Sequence, residues 1–198
     1  MPLSFHPEDA VFVVFRKPSK AEQVTVAKPT PVKIASLDGP WNIAFQPGRG
    51  APASITLDKL SPLDKHAKTS VRYFSGIATY LTTFTLPKGH KAGERMWLDL
   101  GDVGEIAEVS VNGKLAGHAW HNPYRVDISD AAKRGSNTLE VRVANLWVNR
   151  MIGDAQPGAE KVTFTTVPTY RADAPLRPSG IAGPVTISVN SGAEQLNP

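Results

Sequence analysis

The chain has 198 residues, 41% hydrophobic and 20% charged, a balance that suits one all-β domain with an appendage and excludes a disordered chain. Its net charge of +4 is spread thinly, with no basic run longer than the pairs Arg16-Lys17 and Lys133-Arg134, so nucleic acid is not an expected partner. The absence of cysteine removes disulfides, thiol catalysis and thiolate metal sites together.

In chain order, Ala10-Val-Phe-Val-Val-Phe15 comes first and reads as a short buried strand from its β-branched and aromatic content. It follows Glu8-Asp9 and has no cationic start, so no signal peptide is expected in this chain. No apolar stretch approaches the roughly 20 residues that span a bilayer, so no membrane partner is expected either. A polar stretch with Pro29 and Pro31 then reads as a connector. The organisation expected is therefore a strand and linker over 1–34, the main domain over 35–192, and a tail over 193–198.

Within the main domain, short strands alternate with turn signals. A Gly39-Pro40 turn leads into a strand ending at Phe45, and Ile77–Leu86 alternates until Pro87 stops it. Arg95–Leu100 is the next strand. Ile106–Val111 then meets Asn112-Gly113, a type I′ hairpin signal because both central residues of that turn need positive φ, and Lys114–Trp120 returns. Ser129 followed by Asp130-Ala-Ala-Lys-Arg134 and Gly135 predicts one short helix. Thr138–Val143 alternates again, and Val185–Val189 closes the domain. The expected fold is an all-β, antiparallel jelly-roll β-sandwich with one short helix.

Catalytic signatures are sparse. No phosphate-cradling Gly-rich loop, HExxH, GxSxG or EF-hand loop occurs. His118 and His121 fall on opposite faces of an extended chain, so no metal site is predicted. A glycosidase needs two carboxyl groups. The weak candidates for such a role are Asp99, Asp102, Glu105 and Asp154, all readable equally as solvated loop-end charges.

Two loops combine aromatic and polar side chains. One carries Trp120, His121, Asn122, Tyr124 and Arg125; the other carries Trp147, Asn149, Arg150 and Asp154. Sugars present apolar C–H faces and dense hydroxyls, so an aromatic platform beside amide, carboxylate and guanidinium groups suits them. The alternative is that Trp120 and Trp147 plug the end of the sandwich.

The segments Ser75–Pro87, Val109–Gly117, Pro123–Ser129 and Gly135–Asn145, at their mutual spacing, resemble the galactose-binding-like sugar-binding domain of glycoside hydrolase family 2. Asn145–Asp154 and Leu176–Val185 are similar to the C-terminal region of family 106 α-L-rhamnosidases. That resemblance makes Ala10–Pro18 look like the last strand of a preceding β-domain. It implies an accessory module of an enzyme acting on rhamnose-containing polysaccharide, in a secreted or periplasmic, bacterial setting. Catalytic carboxylates would then sit in a separate upstream domain. It implies no cofactor; a structural calcium is compatible with it, though no ligand cluster requires one. Three readings follow: a carbohydrate-binding module, a small stand-alone glycoside hydrolase using loop carboxylates, and a purely structural bracing domain.

Overall fold

A computed structural model describes residue 5 and residues 10–18, 30–87 and 95–191. The strands are β1 (Thr30–Ser36), β2 (Trp41–Phe45), β3 (Ser54–Leu57), β4 (Gly76–Leu86), β5 (Met96–Asp99) and β6 (Asp102–Val103). They continue with β7 (Ile106–Val111), β8 (Lys114–Ala119), β9 (Arg125–Asp127), β10 (Gly135–Asn145), β11 (Ile181–Gly183) and β12 (Thr186–Ser191). Two short α-helices accompany them, α1 (Thr69–Arg72) and α2 (Val148–Asp154).

The strands form two layers. One sheet runs β3-β2-β4-β10-β7-β8, the other β1-β12-β5-β9, and β6 pairs with β11 beside them. All ladders between these strands are antiparallel. The expected antiparallel sandwich is therefore present, and its alternation is easy to trace. On β10, Leu139, Val141 and Val143 are buried while Thr138 and Arg142 are exposed; on β4, Tyr80, Phe84 and Leu86 point inward. Trp41 and Tyr80 meet edge to face with ring centroids 6.5 Å apart, both fully buried. Burial of each such side chain contributes about 2–3 kcal/mol relative to exposure. The Asn112-Gly113 turn takes positive φ at both residues, 53° and 78°, as a type I′ hairpin requires.

Three expectations need correction. Ala10–Phe15 is not a buried strand: it carries no regular structure, and Phe12 and Phe15 are 94% and 92% exposed. Its composition suits a core, but no strand among the described residues pairs with it. The domain also starts earlier than residue 35, because β1 begins at Thr30 and pairs with β12 from Thr30↔Ser191 onward. Pro31 is tolerated there because β1 is an edge strand. The expected tail 193–198 lies outside the described residues.

The predicted helix near Ser129–Gly135 is a turn. The Asp127 carboxylate accepts from both the N–H and the hydroxyl of Ser129, so Ser129 does not cap a helix. Asn137 Oδ1 accepts from the Lys133 N–H and its Nδ2 donates to the Lys133 and Gly135 carbonyls, while Asn112 Nδ2 donates to the Ala131 carbonyl. Side chains from the hairpin and β10 thus satisfy this backbone, and β10 already begins at Gly135. Helix α2 forms instead, in a stretch read from sequence as loop.

Candidate functional site

The strand registers bring both aromatic loops to one end of the sandwich. Asn145 at the end of β10 faces Gly76 at the start of β4, Ala144 faces Ile106 at the start of β7, and Ala107 faces Ala119 at the end of β8. Trp147 follows β10 and Trp120 follows β8, with β7 between them, so their anchor strands lie about 10 Å apart at ordinary strand spacing. The connections 100–105 and 120–124 cross between the sheets at this same end. The first of them carries Asp102 and Glu105, and Asp99 ends β5 just before it.

Trp120 is 62% exposed and Trp147 44%, so neither is a core plug. The His121 ring stands edge-on to Trp120 with centroids 4.8 Å apart, and its Nδ1 lies 3.0 Å from the Asn122 carbonyl oxygen. Asn122 is exposed; Tyr124 is half-buried. Arg125, also half-buried, donates from Nη2 to Ser188 Oγ at 3.3 Å and pairs through Nε with Asp99 at 3.4 Å. Over the Trp147 ring lies the Arg49 guanidinium, 4.5 Å from the ring centroid. Arg49 went unrecognised in the sequence, since nothing local links it to a residue 98 positions away.

The other three expected sugar ligands are buried and already engaged. Asn149 Nδ2 donates to the Arg177 carbonyl, and its Oδ1 accepts from the Arg177 N–H, both at 2.8 Å. Arg150 donates to Asp154 Oδ1 from Nε at 2.9 Å and pairs with it through Nη2, also at 2.9 Å. Asp154 also accepts from the Val162 N–H, the Thr163 N–H and the Thr163 hydroxyl. Burial acts to raise the Asp154 pKa, but these bonds and the Arg150 charge outweigh it and hold the carboxyl below the usual range. A glycosidase acid needs the opposite shift. What this group does is tie down the irregular segment 156–180, which we call the strap.

The strap is pinned at several further points. Gln156 Nε2 donates to the Ala172 carbonyl at 2.8 Å, Asp64 Oδ1 accepts from the Ser179 N–H at 3.0 Å, and Asn145 Oδ1 accepts from the Gly180 N–H at 2.7 Å. Ser75 ties α2 down from the other side, its hydroxyl donating to the Leu146 carbonyl and accepting from the Arg150 N–H. Among the described residues no group of three or more His, Asp or Glu side chains is placed to hold a metal ion.

The family model described as the glycosyl hydrolase 2 galactose-binding domain-like domain matches residues 61–175. A rhamnosidase from Novosphingobium sp. PP1Y is 57% identical in sequence, with a TM-score of 0.85 over 88% of this chain and 17% of that one. A protein of Formosa agariphila, named provisionally as a β-glucuronidase, is 33% identical over 186 residues, or 81% of this chain and 16% of its own length. The β-D-glucuronidase of Dictyoglomus thermophilum shares the fold, with a TM-score of 0.56 at 21% identity, over 86% of this chain and 29% of that one. The chain therefore spans about a sixth of the rhamnosidase and of the Formosa protein.

Proposed function

Since the chain belongs to the glycosyl hydrolase 2 galactose-binding domain-like family, we propose that it is the carbohydrate-facing accessory module of a larger polysaccharide-degrading glycosidase. It presents its loop end to sugar and leaves bond cleavage to a catalytic partner domain. The observation that carries this reading is the exposure of Trp120 and Trp147 at the same end of the sandwich, just past strands two spacings apart. Two exposed indoles carried by strands at that spacing suit successive units of a saccharide chain, with Asn122, His121 and Arg125 as polar partners. The likeness to the Novosphingobium rhamnosidase supports a rhamnose-containing polysaccharide as the target. The engaged state of Asp154 argues against a catalytic acid at that position.

The test is retention of the purified chain on an immobilised rhamnose-containing polysaccharide. Trp120→Ala and Trp147→Ala should each release the protein earlier, and the double variant should elute with the void. Unchanged retention in all three variants would sink the proposed site.

A further inference from the structure

Helix α2 and the strap line a cavity of about 250 Å³ that includes neither Trp120 nor Trp147 and shares only Asp154 with the two aromatic loops. Its wall includes Met151, one helical turn beyond Trp147, and then Lys161, Thr163, Phe164 and Tyr170 from the strap. Phe164 is 90% exposed, although the chain on either side of it is held in place. The Asp154 bonds to Val162 and Thr163 fix the segment just before it, and the Gln156 bond to Ala172 fixes the segment after it. Ordering a strap without regular structure costs about 1–2 kcal/mol per residue in backbone entropy. Buried polar anchors that offset this cost to hold an aromatic side chain in solvent indicate that the shape is used.

The charge at this cavity is lopsided. Asp154 lines it, but Arg150 neutralises Asp154. Arg171 and Asp173, just beyond Tyr170, neutralise each other in an ion pair at 2.9 Å. Lys161 is exposed and has no carboxylate against it among the described residues. The neighbouring Glu160 lines a different cavity with Val162, as alternation along an extended segment dictates. What remains is one free ammonium, two aromatic rings and the hydroxyls of Thr165 and Thr169.

We infer that the strap cavity is a second saccharide subsite and that it takes a sugar bearing a carboxylate. Phe164 and Tyr170 supply the faces for the ring, Lys161 Nζ meets the carboxylate, and the threonine hydroxyls meet ring hydroxyls. The inference rests on the reading of this module as carbohydrate-facing, but it uses different residues and a different ligand group. Because the cavity begins one turn of α2 from Trp147, one chain can occupy both places.

The experiment is titration calorimetry of the whole chain with a glucuronic-acid-containing disaccharide and with its carboxyl-reduced, neutral counterpart. The acid should bind about tenfold more tightly at low salt, and the advantage should shrink as salt screens the exposed charge. Lys161→Gln should abolish the preference, Lys161→Arg should keep it, and Phe164→Ala should weaken both sugars. Phe164 supports no core, so that variant folds. Equal affinity for the two sugars, binding of neither, or a preference that survives Lys161→Gln would overturn the inference. Loss of polysaccharide retention in the Trp120 and Trp147 variants, without any acid preference, would leave the accessory-module reading standing and remove this subsite.

Discussion

Asn149 is bonded to the backbone of Arg177 in both directions, as one strand residue is to another, at 2.8 Å for each bond. This side chain thus replaces a β-partner for a segment that has none. Asn149→Ala would leave one N–H and one carbonyl of the strap partly buried and unpaired. At about 1–3 kcal/mol for each orphaned group, the variant should lose about 2–6 kcal/mol. The check is a urea titration, where the midpoint should fall at an unchanged slope. Limited proteolysis should cut first within 156–180.

Asp154 should give this domain an acid-sensitive strap. Its pKa is held below the ordinary value in the folded chain, against the opposing effect of burial. The sign follows directly. The stabilisation is fully present above the usual carboxylate range and is lost as pH falls through the lowered folded value. Asp154→Asn should cost about 3–5 kcal/mol at neutral pH, because it strands the buried Arg150 charge. Melting temperatures of the two proteins, far apart at pH 7, should converge toward pH 3. A constant gap across that range would show that the charge is not what matters.

How much of this was readable in the sequence depended on whether partners were local. Alternation on β4 and β10 and the Asn112-Gly113 turn are properties of short segments, and each led to the right element. Strand β1 reads as a connector because its prolines are near and its partner β12 is some 150 residues away. Helix α2 has no capping side chain at Trp147, and its polar residues Asn149, Arg150 and Asp154 look like loop chemistry. They look so because their partners, Arg177, Val162 and Thr163, come from a strap with no periodicity to betray it. The same gap hid Lys161 and Phe164. The two tryptophan loops could be read because each is a short run of mixed aromatic and polar residues.

Gly180 is where the strap re-enters the sandwich, and it permits no side chain. Its φ is +76°, and an added Cβ would stand 2.3 Å from Tyr80 Oη and 2.7 Å from Leu63 Cγ. Tyr80 is fully buried and its hydroxyl accepts from the Ile181 N–H, so the ring has nowhere to retreat. Burial also pushes its phenol pKa well up, which keeps it neutral. Gly180→Ala should therefore cost about 3 kcal/mol or more, through both left-handed strain and overpacking. For a domain of this size that is a fall of about 6–12 °C in Tm, measurable by calorimetry. A fall of only a degree or two would mean that the strap shifts as a body.

Arg49 covers part of the platform that a neutral sugar would use. Its guanidinium lies 4.5 Å from the Trp147 ring centroid, and among the described residues no carboxylate holds it there. At an exposed site such a contact is worth about 0.5–1 kcal/mol. A neutral saccharide that stacks on this indole must displace the guanidinium or share the ring with it. Arg49→Ala should then tighten neutral-sugar binding by about 2–5-fold and leave the Trp147→Ala background unchanged. In the free protein, Trp147 emission should shift to the red as the ring meets more water. Weaker binding in Arg49→Ala would reverse the assignment, making Arg49 a ligand for the sugar and not a cover over its platform.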